Sequence, residues 1–296
     1  MNFLTALLLG AVQGLTEFFP VSSSGHVAIL AQLLGIKNEG GILFDICLHI
    51  GTMLAVLVIF RKPVRRLLLS IADIAKDIVF NIRLALDGKK RTEGRAYRRL
   101  LTDNYRSLAA MLVMAFIPTA LVGAFLESLS EKASAGLLFP GMGLLVTGVV
   151  LLVVDNVKEG ETALRDMPIR RALYIGAAQG LSVLPGLSRS GMTICSSLLA
   201  GMSRKMAVHF SFLLMIPTMI GALIYEIGFK SADGSFSATV LIYGLAGAAV
   251  SAFVGYLTIR KMIVMVQKKQ LKGFAVYCFV IGIIAMIAYF ALGERA

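Results

Sequence analysis

The sequence predicts an all-α polytopic membrane protein with six transmembrane helices and two re-entrant helix hairpins, built as an inverted-topology repeat. Three observations predict it. Of 296 residues, 57% are apolar and only 16% charged, which is too little polar surface to coat a soluble globule. The tetrad SSSG at Ser22 to Gly25 returns as SRSG at Ser188 to Gly191, and the same 166-residue offset lays Gln13-Gly14-Leu15 on Gln179-Gly180-Leu181. The basic residues are clustered, with thirteen Lys or Arg against five Asp or Glu from Arg61 to Arg106 and five against none from Arg260 to Lys272.

The offset holds without a gap through Gly35 on Gly201, Phe44 on Phe210, Leu48 on Leu214, Ile50 on Ile216, Thr52 on Thr218, Met53 on Met219 and Leu57 on Leu223. Apolar helices share Leu, Ile and Gly by composition alone. Matched Gln, Ser and Thr are different, because polar side chains inside a bilayer are costly and are kept for a reason. A repeat of this kind with interrupted helices in both halves points to a binding site between the halves.

The chain starts in an apolar stretch with neither a basic leader nor a small-residue cleavage site, so no removable signal peptide is expected. Crossing the hydrocarbon layer takes about 20 apolar residues. Residues 3–18 and 24–36 are too short and are joined by Pro20 to Gly25, which predicts the first hairpin. Residues 42–60, 108–127 and 137–154 follow as spans, with the basic loop 61–107 after the first. The second copy repeats the order. Residues 172–184 and 190–202, joined by Pro185 to Gly191, form the second hairpin, and 205–227, 238–259 and 273–292 are spans. The domain expectation is one membrane domain over 1–296, with repeats at 1–154 and 172–292. Basic loops stay on the cytoplasmic side. That places the first hairpin's opening outside and the second's inside, and an odd number of crossings per half inverts the second copy.

The net charge of +12 would suggest nucleic acid in a soluble protein, but its placement in loops between spans excludes that partner and leaves anionic lipid headgroups as its secondary target. Cys47, Cys195 and Cys278 lie scattered in apolar segments and read as buried free thiols.

The hairpin tips carry the chemistry. Serine caps helix N-termini, and free backbone N–H groups at a helix start bind anions, so Ser22 to Gly25 and Ser188 to Gly191 read as two phosphate cradles approaching from opposite faces. Arg189 adds a permanent charge with a fork of donors suited to phosphate oxygens. Glu17 lies four residues after Gln13 and shares its helix face, just before the serines. His26 follows them. A carboxylate, hydroxyls, an imidazole and a guanidinium suffice for attack on phosphorus with stabilised charge. A Ser-rich turn alone is most often only a cap, and a single membrane His often only bonds a neighbour. Their combination inside a repeated intramembrane motif is what points to chemistry.

These residues resemble the bacitracin-resistance type undecaprenyl-diphosphatases. That family carries a Glu/Gln-x-x-x-Glu element, here Gln13 to Glu17, then Pro-Val-Ser-Ser-(Ser/Thr)-Gly-His, here Pro20 to His26. Its second signature, Pro-Gly-x-Ser-Arg-Ser-Gly-x-Thr, stands at Pro185 to Thr193, and further similarity runs through Phe44 to Thr52 and Phe210 to Pro217. Gln13 occupies a position that is often Glu in the family, and an amide is neither a base nor a charge for a metal, so Glu17 carries any such role here.

The resemblance implies hydrolysis of undecaprenyl diphosphate to the monophosphate that carries cell-wall precursors, in a bacterial plasma membrane, with the site opening externally. It sets the expected roles. Ser23 attacks the distal phosphorus, Glu17 or His26 handles its proton, and Arg189 with the helix N-termini holds the oxyanions. Ser22, Ser24, Gly25, Ser188, Ser190 and Gly191 bind substrate with Gln13, and Thr193 supports Arg189. A divalent cation, Mg²⁺ or Ca²⁺, bridges Glu17 and the diphosphate. The lipid substrate and the bilayer are the expected partners, with a homodimer as a candidate assembly.

Other residues are weighed against plainer roles. Asp45 and His49, four apart, form a candidate pair behind the site, His209 is interfacial, Glu127 and Glu226 sit near span ends, and Pro118 and Pro217 should kink their helices. Residues 73–106 suggest a surface helix followed by a basic stretch. The competing class is a polyprenyl-phosphate transporter or flippase, since facing broken helices are also transporter architecture. Ser23, His26 and Glu17 discriminate, because transport needs binding but no nucleophile.

Overall fold

Long apolar runs in a chain with no place for unpaired backbone groups must become helices, because in lipid only internal hydrogen bonding satisfies N–H and C=O groups. The computed structural model describes residues 2–33, 41–86, 96–134, 136–162, 167–230 and 238–292, and among them there is no strand. Residues 34–36 of the second short segment, 87–95 of the basic stretch and the loop around Asp233 lie outside the described residues.

Two short helices come first, α1 (Phe3–Thr16) and α2 (Ser23–Leu33). At 14 and 11 residues they are about 21 and 17 Å long, too short for a hydrocarbon layer of about 30 Å. Then come α3 (Gly41–Ile59), α4 (Arg61–Leu86), α5 (Asn104–Ala133) and α6 (Leu138–Asp155). A second short pair follows, α7 (Ile169–Gly180) and α8 (Arg189–Leu199), joined by a turn of 3-10 helix at Leu181–Val183. The chain ends in α9 (Arg204–Tyr225), extended by a π turn at Glu226–Lys230, then α10 (Ala238–Gln267) and α11 (Leu271–Leu292).

Among the described residues five helices, α5, α6, α9, α10 and α11, are long and apolar enough to cross a membrane, and a sixth is added if α3 and α4, bent by 88° at Phe60, count as one span. Their outer faces are apolar, with Phe125, Leu121, Phe253, Ile224 and Phe290 all exposed. That surface suits lipid, where an apolar exterior costs nothing.

α8 starts 166 residues after α2, as the tetrads do, and α7 starts at the same spacing from α1. α10 and α11 start 134 and 133 residues after α5 and α6. The shortfall is α4 and its basic stretch, which have no counterpart after α9. Helix contacts cross between the halves: α1 packs on α10, α7 on α5, and α6 on α11. Small residues permit the close crossings. A Cβ at Gly10 or Gly14 would overlap the α10 backbone at Gly247 or Ser251, and a Cβ at Gly176, 166 residues after Gly10, would overlap the α5 backbone at Ala115. Gly180, the counterpart of Gly14, meets Val122. Small-xxx-small pairs of this kind let membrane helices approach and gain dispersion contacts where lipid gives no hydrophobic drive.

Pro118 and Pro217 lie within continuous helices on non-equivalent elements, α5 and α9. Their similar flanks therefore do not belong to the repeat. In both, the following threonine takes up carbonyls beside the interrupted ladder: Thr119 Oγ1 donates to Ala115 O and across to Gly176 O, and Thr218 Oγ1 to Leu214 O and Met215 O.

Candidate active site

The two turns that end α1 and α7 meet each other. Gly25 packs against Gly186, Gly191 against Pro20, and Ser190 Oγ donates to Phe19 O at 3.2 Å. Each tip is built by its own serines. Ser22 Oγ accepts from Gly25 N at 3.2 Å and Ser188 Oγ from Gly191 N at 3.1 Å, so both hydroxyls act as N-caps, and each also lies beside the next serine but one, Ser24 or Ser190, at 3.3 and 3.2 Å. The second tip is anchored further by Thr147 of α6, whose hydroxyl donates to Gly186 O and accepts from Ser188 N. Gly186 has φ +85°, open only to glycine without strain.

The two tips differ at one backbone angle. Ser22 has φ +66°, the left-handed region, while its counterpart Ser188 has φ −77°. Strain of this kind persists only where surrounding contacts enforce it, and it concentrates at functional sites. Here the enforcing contacts are Gly25 N on Ser22 Oγ and the His26 ring, whose Nδ1 donates to Ser22 O at 2.8 Å.

Glu17 is where the halves join. One carboxylate oxygen, Oε2, accepts from Ser23 Oγ at 2.6 Å and from Gln13 Nε2 at 3.0 Å. The other, Oε1, accepts from Arg189 Nη2 at 2.9 Å and Nε at 3.2 Å. Ser23 and Arg189 are also counterparts in the 166 register, so one position of the repeat supplies the hydroxyl in the first copy and the guanidinium in the second. Glu17's own counterpart is Val183, which leaves one carboxylate for both. Glu17 and Gln13 are buried and Ser23 is half-buried. Arg189 Nη1 is buried with no partner, a donor left for an anion.

The sequence assigns His26, with Glu17, to the Ser23 proton. With its Nδ1–H on Ser22 O, its Nε2 accepts from the Tyr277 hydroxyl of α11 at 2.8 Å, and the two rings stack at 5.5 Å. Ser24 is exposed. Thr193 Oγ1 donates to Arg189 O at 2.6 Å and lies 3.0 Å from Gln179 Oε1, so it steadies the backbone that carries the guanidinium. His49 Nδ1 donates to the Asp45 backbone carbonyl at 2.9 Å, and its ring lies within electrostatic reach of both the Asp45 and the Glu17 carboxylates. His209 Nδ1 does the same to Lys205 O and sets its ring edge against Phe60. Tyr277, Thr147 and Gln179 were not singled out from sequence as site residues. Only Gln179 left a signal, its match to Gln13 in the offset.

A cation at Glu17 finds few protein ligands. Among the described residues no three His, Cys, Asp or Glu come together to hold a metal, and both Glu17 oxygens already accept hydrogen bonds. Among the described residues, the side chains alone therefore do not complete a metal site, and a cation at Glu17 would need phosphate oxygens as further ligands.

The family described as "Bacitracin resistance protein BacA" matches residues 6–284 of this sequence. The chain belongs to this family. Among curated relatives, the chain is 36% identical over 292 residues to an undecaprenyl-diphosphatase of Methanobrevibacter smithii, covering 97% of this chain and 98% of that one. It is 39% identical over 292 residues to one of Methanosphaera stadtmanae, with the same coverage. A third, from Desulfatibacillum aliphaticivorans, is 37% identical over 290 residues, covering 98% of this chain and all of the relative. This BacA-family chain is a multi-pass membrane protein whose apolar helices surround the Glu17 cluster.

Proposed function

We propose that the protein hydrolyses undecaprenyl diphosphate to undecaprenyl phosphate and inorganic phosphate, the reaction named for its relatives, at the Glu17, Ser23 and Arg189 cluster. The observation that carries this is one buried carboxylate bonded at once to a hydroxyl from one half and a guanidinium from the other. In the first step Ser23 Oγ bonds to the distal phosphorus while its proton passes to Glu17 Oε2, and the anhydride P–O bond breaks to release the lipid monophosphate as an anion. Water then cleaves the phosphoserine, phosphate leaves, and the proton returns to Ser23. Arg189, through its free Nη1 and the N–H groups it redirects from Glu17, and the N-termini of α2 and α8 stabilise the charge on the phosphoryl oxygens. Gln13 orients Glu17. Ser22, Ser188, Ser190, Gly25 and Gly191 shape the two cradles, with Ser24 at the exposed rim.

His26 enters as a support for the strained Ser22 turn. Mg²⁺ or Ca²⁺ enters only with the diphosphate, since magnesium is commonly held by one or two carboxylates together with substrate phosphates, and no step depends on it. The short pairs α1–α2 and α7–α8 are read as re-entrant hairpins in two inverted repeats, with six spans in all, the basic loops cytoplasmic and the site opening externally. Residues 1–154 and 172–292 are the repeats, and a homodimer is the proposed assembly.

A flippase reading is not favoured, because transport needs the anion bound but no nucleophile, whereas Ser23 Oγ lies 2.6 Å from a carboxylate positioned to take its proton. The test is phosphate release from undecaprenyl diphosphate by purified protein, with and without chelator. Wild type should release phosphate, Glu17→Gln should lose about 10²–10⁴-fold in rate, and Ser23→Ala should fall at least as far. Ser23→Ala with near-normal turnover would replace the serine by a water activated by Glu17, and no release by wild type would end the enzyme reading.

A further inference from the structure

Helix α4 is the element that the proposed reaction does not use. It turns 88° from α3 at Phe60 and runs 26 residues, about 39 Å, across the direction of the spans. Its residues fall into three sectors at 100° per residue. One sector faces the protein: Leu67, Asp77 and Leu84 are buried, α4 packs on α5, and Asp77 is gripped by Arg106 at 2.7 Å and Arg98 at 3.0 Å. A second is apolar and exposed, with Leu68, Ile71, Ile78, Val79, Ile82 and Leu86 falling on one side of the helix. The third, along one flank of the apolar sector, carries the exposed Arg65, Lys76 and Arg83, with Arg61 and Lys62 in the first turn.

An apolar stripe of that length in water would be an aggregation hazard, and a hydrocarbon-facing stripe on a span would not be edged by arginines. The combination fits the plane between acyl chains and headgroups, where the apolar side sinks below the glycerol level and basic side chains reach up to phosphates. The grip of Arg98 and Arg106 on Asp77 lies on the side away from the apolar sector, which keeps that side with the protein and the water. Because α4 continues directly from a membrane-embedded helix, the lipid surface is already beside it.

We propose that α4 is an interfacial helix that seats its outward apolar sector in the lipid surface and binds the headgroups of anionic phospholipids through Arg65, Lys76, Arg83, Arg61 and Lys62. Each basic residue near such a surface contributes on the order of a fivefold preference for anionic over neutral headgroups.

The test uses the full chain in nanodiscs. The native cysteines are buried, so a cysteine placed at Ile82 or at Lys76 is the reactive one, and each is labelled with a spin or fluorescent probe. At Ile82 the probe should be quenched by brominated acyl chains and shielded from an aqueous nickel chelate, and at Lys76 the order should reverse. In parallel, spin-labelled phosphatidylglycerol should be preferred over phosphatidylcholine at the protein surface. Arg65→Gln/Lys76→Gln/Arg83→Gln should reduce that preference at least tenfold without changing phosphate release in detergent. Open aqueous access at Ile82 would overturn the proposal. So would dipolar broadening between Ile82 probes, which would show a second copy covering the stripe, and so would an unchanged lipid preference in the triple variant.

Discussion

At the scale of single residues, Glu17 is the meeting point of the proposed site, because three donors from two halves of the chain converge on one carboxylate. That makes its pairing with Arg189 separable from its chemistry. Removing one partner of a buried pair leaves an uncompensated charge and costs about 3–5 kcal/mol, whereas removing both is far less damaging. Arg189→Met should therefore lower thermal stability more than Arg189→Met/Glu17→Gln does, while both variants stay inactive; a double-mutant cycle in unfolding measurements checks it. Equal loss in both would show that the pair is not coupled in the fold. Glu17, Ser23 and Arg189 were legible in the sequence because the motif fixes residue types and the repeat fixes their counterparts. Tyr277 was not, since it meets His26 from 251 residues away and a tyrosine in an apolar helix carries no local sign of its partner. The left-handed Ser22 was equally silent, because serine does not announce a positive φ as glycine does.

At the scale of elements, the short helices and five of the long apolar ones followed from run length alone, since a stretch too short for the hydrocarbon layer cannot be a span whatever it packs against, whereas the 88° bend between α3 and α4 left no sign in run length. Which helices touch was not legible. Gly10, Gly14, Gly176 and Gly180 turn out to be contact points, and any side chain there must push two backbones apart. Gly176→Val should lower stability by about 1–3 kcal/mol, read as a drop in the temperature at which the purified protein loses its fold, whereas Gly273→Val, whose added Cβ meets nothing, should not. Outside the membrane, the Arg106 and Arg98 hydrogen bonds hold the Asp77 carboxyl below the usual carboxylate range. A depressed folded-state value stabilises the α4 contact above the unfolded carboxylate value of about 3.9 and loses it as pH falls further. The docking of α4 should thus loosen below about pH 4, seen as faster proteolysis after Arg83 or Arg98, and Asp77→Asn should show that loosening already at neutral pH.

At the scale of the whole molecule, the exchange of helices between halves, α1 onto α10 and α7 onto α5, brings the two tips face to face. The proposed inverted topology makes a direct prediction: a reporter fused at residue 90 should read cytoplasmic and one at residue 135 external, and an external signal at residue 90 would refute the orientation. The sequence by itself determined that the chain lives in lipid, where its helices break, and that one motif occurs twice, because hydropathy and register are properties of the chain read along its length. Only the tertiary structure decided that Glu17 holds Ser23 and Arg189 together, that His26 turns to Tyr277, and that α4 bends away from the spans with an apolar side uncovered. Those facts depend on distances between segments far apart in the chain, and such distances are set by how helices pack.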